Sequence, residues 1–316
     1  MINRCKVNMK KSVTIASGCL TKTSALRSAC AVIIILFMTS CSQNDTQPDT
    51  SMPESSAMSH TQDSMEAGQY VAEYAALDYV FAGPSEIPSG WITFRMPNQG
   101  EEHRVMIQIK LPEDVSYTDY YESNQQRLEN GETPEWWSEQ VVMGGPAALG
   151  PGLVGETTVK LDPGEYAMIC PVPTADGTLH RDLGMMRPLT VTEEESGAIE
   201  PKADITMTLR SLEFELDKVI TPGRHTIAVR FENQPEGKPH DVHVARLGPD
   251  QTLEDFTASM AGDIEFGDFF FIGGVEDMPE GHTAYFTADF EPGRYAFWCH
   301  GHSADGMVQE FTVESL

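Results

Sequence analysis

Two stretches of this 316-residue chain answer each other and fix much of what it can fold into. Leu161-Asp-Pro-Gly-Glu-Tyr-Ala-Met-Ile-Cys170 and Phe290-Glu-Pro-Gly-Arg-Tyr-Ala-Phe-Trp-Cys299 share a Pro-Gly turn and a short apolar run that ends on cysteine. A short run bounded by chain breakers reads as a β-strand. Further pairs follow in one order along the chain. Glu102 to Leu111 answers Pro239 to Leu247, Met143-Gly-Gly-Pro146 answers Ile272-Gly-Gly-Val275, and Gly184-Met185 answers Gly306-Met307. Ordered self-similarity of this kind is the mark of a repeated unit. The expected organisation is a first domain over 67–193, a linker over 194–203 and a second domain over 204–316, each of ordinary domain size.

Within each half the strands are short and alternate in polarity, as in Trp91 to Met96, Thr157 to Leu161, His225 to Phe231 and Thr283 to Phe290. Seven or eight such strands predict an all-β, Greek-key sandwich. Ser116 and Thr252, each with an acid three residues on, predict a short helical insert in each half. Trp136-Trp137 is expected to pack over one end of the first sandwich.

Of six cysteines, three lie before residue 31 and one at Cys41, so only Cys170 and Cys299 belong to the folded part. They close the same strand in the two halves, where a disulfide between them would need both strand ends to meet. Free thiols in an exported chain are better explained as metal thiolates. After Cys299 the chain presents His302 and Met307 within nine residues, and His240 follows Pro239 at the start of an earlier strand. Cysteine, two imidazoles and a weak axial thioether are the ligand set of blue copper. His103, Cys170, His180 and Met185 offer a second set, with a longer, proline-containing loop between Cys170 and His180.

The Cys299-x2-His302-x4-Met307 loop resembles that of the cupredoxins, the plastocyanin and pseudoazurin type in particular. The wider Cys170–His180 spacing is similar to the loop in the first domain of copper nitrite reductases. The resemblance implies copper at His240, Cys299, His302 and Met307, and a second ion at His103, Cys170, His180 and Met185. It further implies electron transfer, with the loop histidines His302 and His180 as exposed electron ports. Nitrite reduction needs a histidine before the blue-site cysteine, where Ile169 stands, and Gln108 occupies a place where a further histidine would be expected. Multicopper oxidases need a run of His-x-His motifs that the domains lack. His243 and His300 read as surface residues or as supports of the ligands, His225 and His282 as turn or strand-surface residues. The reading is therefore a carrier and not an enzyme. Its alternatives are a copper store and a copper-free structural sandwich.

Residues 1–40 carry six basic and no acidic residues and an apolar run from Ala31 to Met38, too short to span a bilayer. Met38-Thr-Ser-Cys41 resembles a bacterial lipobox, which implies cleavage and lipidation at Cys41, and so an envelope protein facing the periplasm or held in the outer membrane. Residues 41–66 are too polar to bury a core and read as a flexible tether, with His60 a solvated linker residue. Removing residues 1–40 takes the net charge from −27 to −33. So acidic a chain does not bind nucleic acid or anionic lipid through charge alone. It suits a high-salt habitat or a basic redox partner.

Overall fold

Strand pairing, rather than helix packing, organises the chain. The computed structural model describes residues 68–315 apart from 236 and 262–268. The expected leader, Cys41, the tether and His60 lie outside the described residues. Among those described, two β layers carry the fold. The larger sheet runs from Glu213–Leu216 through Ile205–Arg210, Gly223–Glu232, Thr283–Phe290, Val154–Leu161, Glu86–Pro97, Met186–Glu195, Gly164–Ile169 and Ile107–Lys110 to Val141–Val142. The smaller sheet orders Phe270–Met278, His240–Leu247, Gly293–Trp298 and Val308–Val313.

The larger sheet draws on both halves of the sequence. Thr283–Phe290 pairs antiparallel with Val154–Leu161, Phe286 opposite Thr157. Such pairing removes two edges that would otherwise expose unpaired backbone groups. One apolar cluster lies beneath, including Phe94 and Met106 from the first half and Phe231, Phe271 and Trp298 from the second.

The helices begin where the sequence places them. Ser116 caps Tyr117–Asn130 in a reciprocal box with Asp119, and the left-handed Gly131 ends that helix. Thr252 and Asp255 exchange the same two bonds ahead of Leu253–Ala261. Trp137 stacks on Tyr120, 5.5 Å between ring centroids, and both tryptophans pack against a small cluster that joins this helix to Ile109, Ala167 and Ile169 of the sheet. Replacing Ser116 by alanine is expected to cost about 1 kcal/mol, read from a urea midpoint shift at constant slope.

The Gly-Gly segments place the site strands. Gly145 and Gly274 have φ of +129° and +135°, and a Cβ on either would collide with a carbonyl oxygen, that of Met106 or of Val242. The two segments also clasp each other. The Gly144 N–H donates to Asp277 O at 2.8 Å, and the Glu276 N–H to Gly145 O at 3.0 Å.

Candidate metal centre

Cys299 sits at the end of Gly293–Trp298, a strand held on both sides by His240–Leu247 and Val308–Val313. The chain then makes a short 3-10 helix, His300–Asp305, which Gly306 ends at φ +94°. Three backbone bonds close the loop on itself. The His302 N–H donates to Cys299 O at 3.3 Å, the Met307 N–H to His302 O at 3.1 Å, and the Cys299 N–H to Met307 O at 3.2 Å. His302 and Met307 are thereby returned to the cysteine, and Met307 is fully buried.

His240 reaches the same point from the first residue of its strand. Its Nδ1 lies 3.3 Å from His302 Nδ1 and 3.9 Å from Cys299 Sγ, and His302 Nδ1 lies 3.4 Å from Cys299 Sγ. Among the described residues this is the one group of three or more such ligands that converges. An ion bound at about 2.0 Å to nitrogen and about 2.3 Å to thiolate sulfur, in a trigonal plane, would space its ligands by roughly 3.5–3.7 Å. The triangle fits such an ion.

Electrostatics prepare the ligands. Burial, and then the neighbouring His302 ring, pull His240 down to about 4. His302 is also lowered, by burial and then by Lys238. Both rings are therefore neutral near pH 7, with lone pairs free to coordinate. Burial, and then the Asp241 carboxyl, push the Cys299 thiol up, so metal entry must release its proton.

Asp241, which the sequence reading passed over, supports the loop. Its Oδ1 accepts from the His300 N–H at 2.8 Å. His243 lies behind it and is buried, so the surface reading of that residue is corrected. The Ala148 N–H donates to His243 Nδ1 at 3.1 Å, which leaves Nε2–H facing Asp241 Oδ1 at 3.5 Å and Glu276 Oε1 at 3.6 Å. His243 Nε2 is thus turned toward two acidic groups without a hydrogen bond to either. The signal for this group was an acid pair, Glu276-Asp277, inside an otherwise apolar strand. Asp241→Ala is expected to weaken copper binding by about 10–100-fold while Asp241→Asn, which keeps an acceptor, stays close to wild type, as read by chelator competition. His300 is exposed, His225 Nε2 contacts Thr221 O at 2.8 Å, and His282 lies in an exposed turn.

The first half assembles only part of its expected set. Cys170 Sγ lies 3.4 Å from His180 Nδ1, the Cys170 N–H donates to Met185 O at 3.0 Å, and Met185 is fully buried. His103 does not join them. Its ring packs edge-on against Phe271, 5.6 Å between centroids, and bonds to the backbone of Phe269. The reason is register. His243 pairs with Trp298, the residue before Cys299, whereas Ile107 pairs with Ile169, the residue before Cys170. Counting back three residues from each, Arg104 and not His103 stands where His240 stands in the second half. The exposed-port expectation is corrected too: His302 is 1% and His180 0% exposed.

No protein-family model and no curated protein matches the chain. Solved structures do match. Auracyanin A, titled a "blue" copper protein, from Chloroflexus aurantiacus is 19% identical, with 40% of this chain and 100% of that one covered and a TM-score of 0.28. A multicopper oxidase is 12% identical over 78% of this chain and 89% of its own, TM-score 0.23. A copper-containing nitrite reductase from Thermus scotoductus is 11% identical over 78% and 61%, TM-score 0.20. Among the described residues the fold is all-β, its strands gathered in two main sheets. The expectation that the chain is not an enzyme is corrected, an oxidase and a reductase standing among these matches.

Proposed function

We propose that this chain is a type 1 copper protein that carries electrons in the cell envelope. One observation supports it above the rest: the buried triangle of His240 Nδ1, Cys299 Sγ and His302 Nδ1 at 3.3, 3.4 and 3.9 Å, closed by a loop that returns Met307. Bound there, copper would supply a one-electron couple. The thiolate gives that couple a covalent path into the strand, and the imidazoles fix its geometry. Cys299, Met307, His240 and His302 are all buried, which keeps water from the sulfur. A soft thioether beside cysteine and two histidines favours copper over zinc.

The remaining parts of the reading are proposals on the sequence: tandem domains over 67–193 and 204–316, an anchor at Cys41, and a basic redox partner for a chain of net charge −27. No helix among the described residues is long and apolar enough to cross a membrane. Burial of both ligand imidazoles argues against ready metal release, and so against a copper store. The test is copper titration of the full chain, with visible and paramagnetic-resonance spectra and a metal count. An intense thiolate-to-copper band and a reversible one-electron couple are expected. A colourless copper complex, or one displaced by equimolar zinc, would overturn the reading.

A further inference from the structure

The pocket beside Cys170 has the parts of a metal site, yet its centre is already taken. Cys170, His180 and Met185 repeat most of the links among Cys299, His302 and Met307, although Arg181 and not His180 donates to the cysteine carbonyl. In both loops the thiol sulfur lies 3.4 Å from the imidazole Nδ1, and the methionine N–H returns to the histidine carbonyl, at 2.9 Å here and 3.1 Å there. The difference lies at the third corner. Arg104 enters from the position that register assigns to His240, and its side chain is wholly buried. Its Nη1 lies 3.3 Å from His180 Nδ1, the nitrogen that would face an ion, and also donates to His103 O at 3.0 Å. Its Nη2 pairs with Asp78, and its guanidinium lies 5.4 Å from the centre of the Tyr79 ring. On the far side of the imidazole, His180 Nε2 meets Glu102 Oε2 at 3.1 Å, and the Tyr79 hydroxyl donates to the same oxygen at 3.1 Å.

We infer that Arg104 is a built-in cation that occupies the metal seat of the first half and closes it to copper, so the chain holds one copper and not two. A guanidinium cannot be deprotonated in this range and has no lone pair to offer, so it cannot act as a ligand. It takes the His180 Nδ1 lone pair and is itself neutralised by Asp78 and Glu102, which lets the loop keep its ion-bound shape without an ion. Only the identity of the metal rests here on the copper reading of the second half.

The test counts copper in the full chain, with visible spectra, for wild type, Cys170→Ser, Cys299→Ser and Arg104→His. Wild type and Cys170→Ser are expected to bind one copper and Cys299→Ser none. Arg104→His, which returns an imidazole to the third corner, is expected to rise from one to two, the second lost when Cys170→Ser is added. A copper retained by Cys299→Ser and removed by Cys170→Ser overturns the inference whether or not Arg104→His folds, and leaves the proposed function standing. No copper in wild type but a Cys170-dependent copper in Arg104→His supports the inference while sinking the proposed function. No Cys170-dependent copper in a folded Arg104→His overturns it.

Discussion

Cys299→Ser is expected to abolish the intense visible band of the copper-loaded chain and to weaken copper binding by more than about 100-fold, beyond the range that outer hydrogen-bond partners carry. The band requires electron density shared between sulfur and metal, and a hydroxyl at the same place supplies none. The fold should persist. Cys299 is fully buried, and its backbone N–H goes to Met307 O, a bond that serine keeps. Serine is close to cysteine in volume, so loss of colour is separable from loss of structure. An unfolding free energy from urea within about 1–3 kcal/mol of wild type, together with absent colour, is the expected pair of results. A blue Cys299→Ser protein would remove the ligand from the scheme.

The second-half site was legible because its parts are local. Cys299, His302 and Met307 lie on one turn whose backbone bonds return them to each other, and Pro239 marks where His240 enters its strand. The first half misled through one residue. His103 and Arg104 are adjacent, so matching histidine to histidine selects a ring one position out of register, and along a strand one position means the opposite face. A count back from Cys170 and Cys299 through their partner strands decides the matter, but only once Ile107–Ile169 and His243–Trp298 are known as pairs. The joining of both halves through Thr283–Phe290 and Val154–Leu161 had no local signature at all, since each strand reads the same with or without a neighbour. The cover over His302 was equally hidden, because burial of a loop residue depends on what other segments lay across it.

Trp298→Ala should give the largest loss of stability of any single change next to the site, about 3–5 kcal/mol, without removing a ligand. Trp298 is 1% exposed and fills the space between the small sheet and the second helix. Its ring lies 4.8 Å from that of His243, 6.1 Å from Phe271 and 6.2 Å, edge-on, from Phe256. Three rings on separate elements cannot all move inward to close the hole, so the cavity term adds to the lost burial. For a folded region of this size the loss corresponds to a melting point lower by roughly 6–20 °C. Trp298 and Cys299 are consecutive on an extended strand and so project to opposite sides of it. The folded fraction of Trp298→Ala should therefore keep the colour of wild type, while its denaturant midpoint falls at unchanged slope. A protein that lost its colour but not its midpoint would show instead that the indole acts on the copper through His243 and Asp241, and that the sheet tolerates the hole.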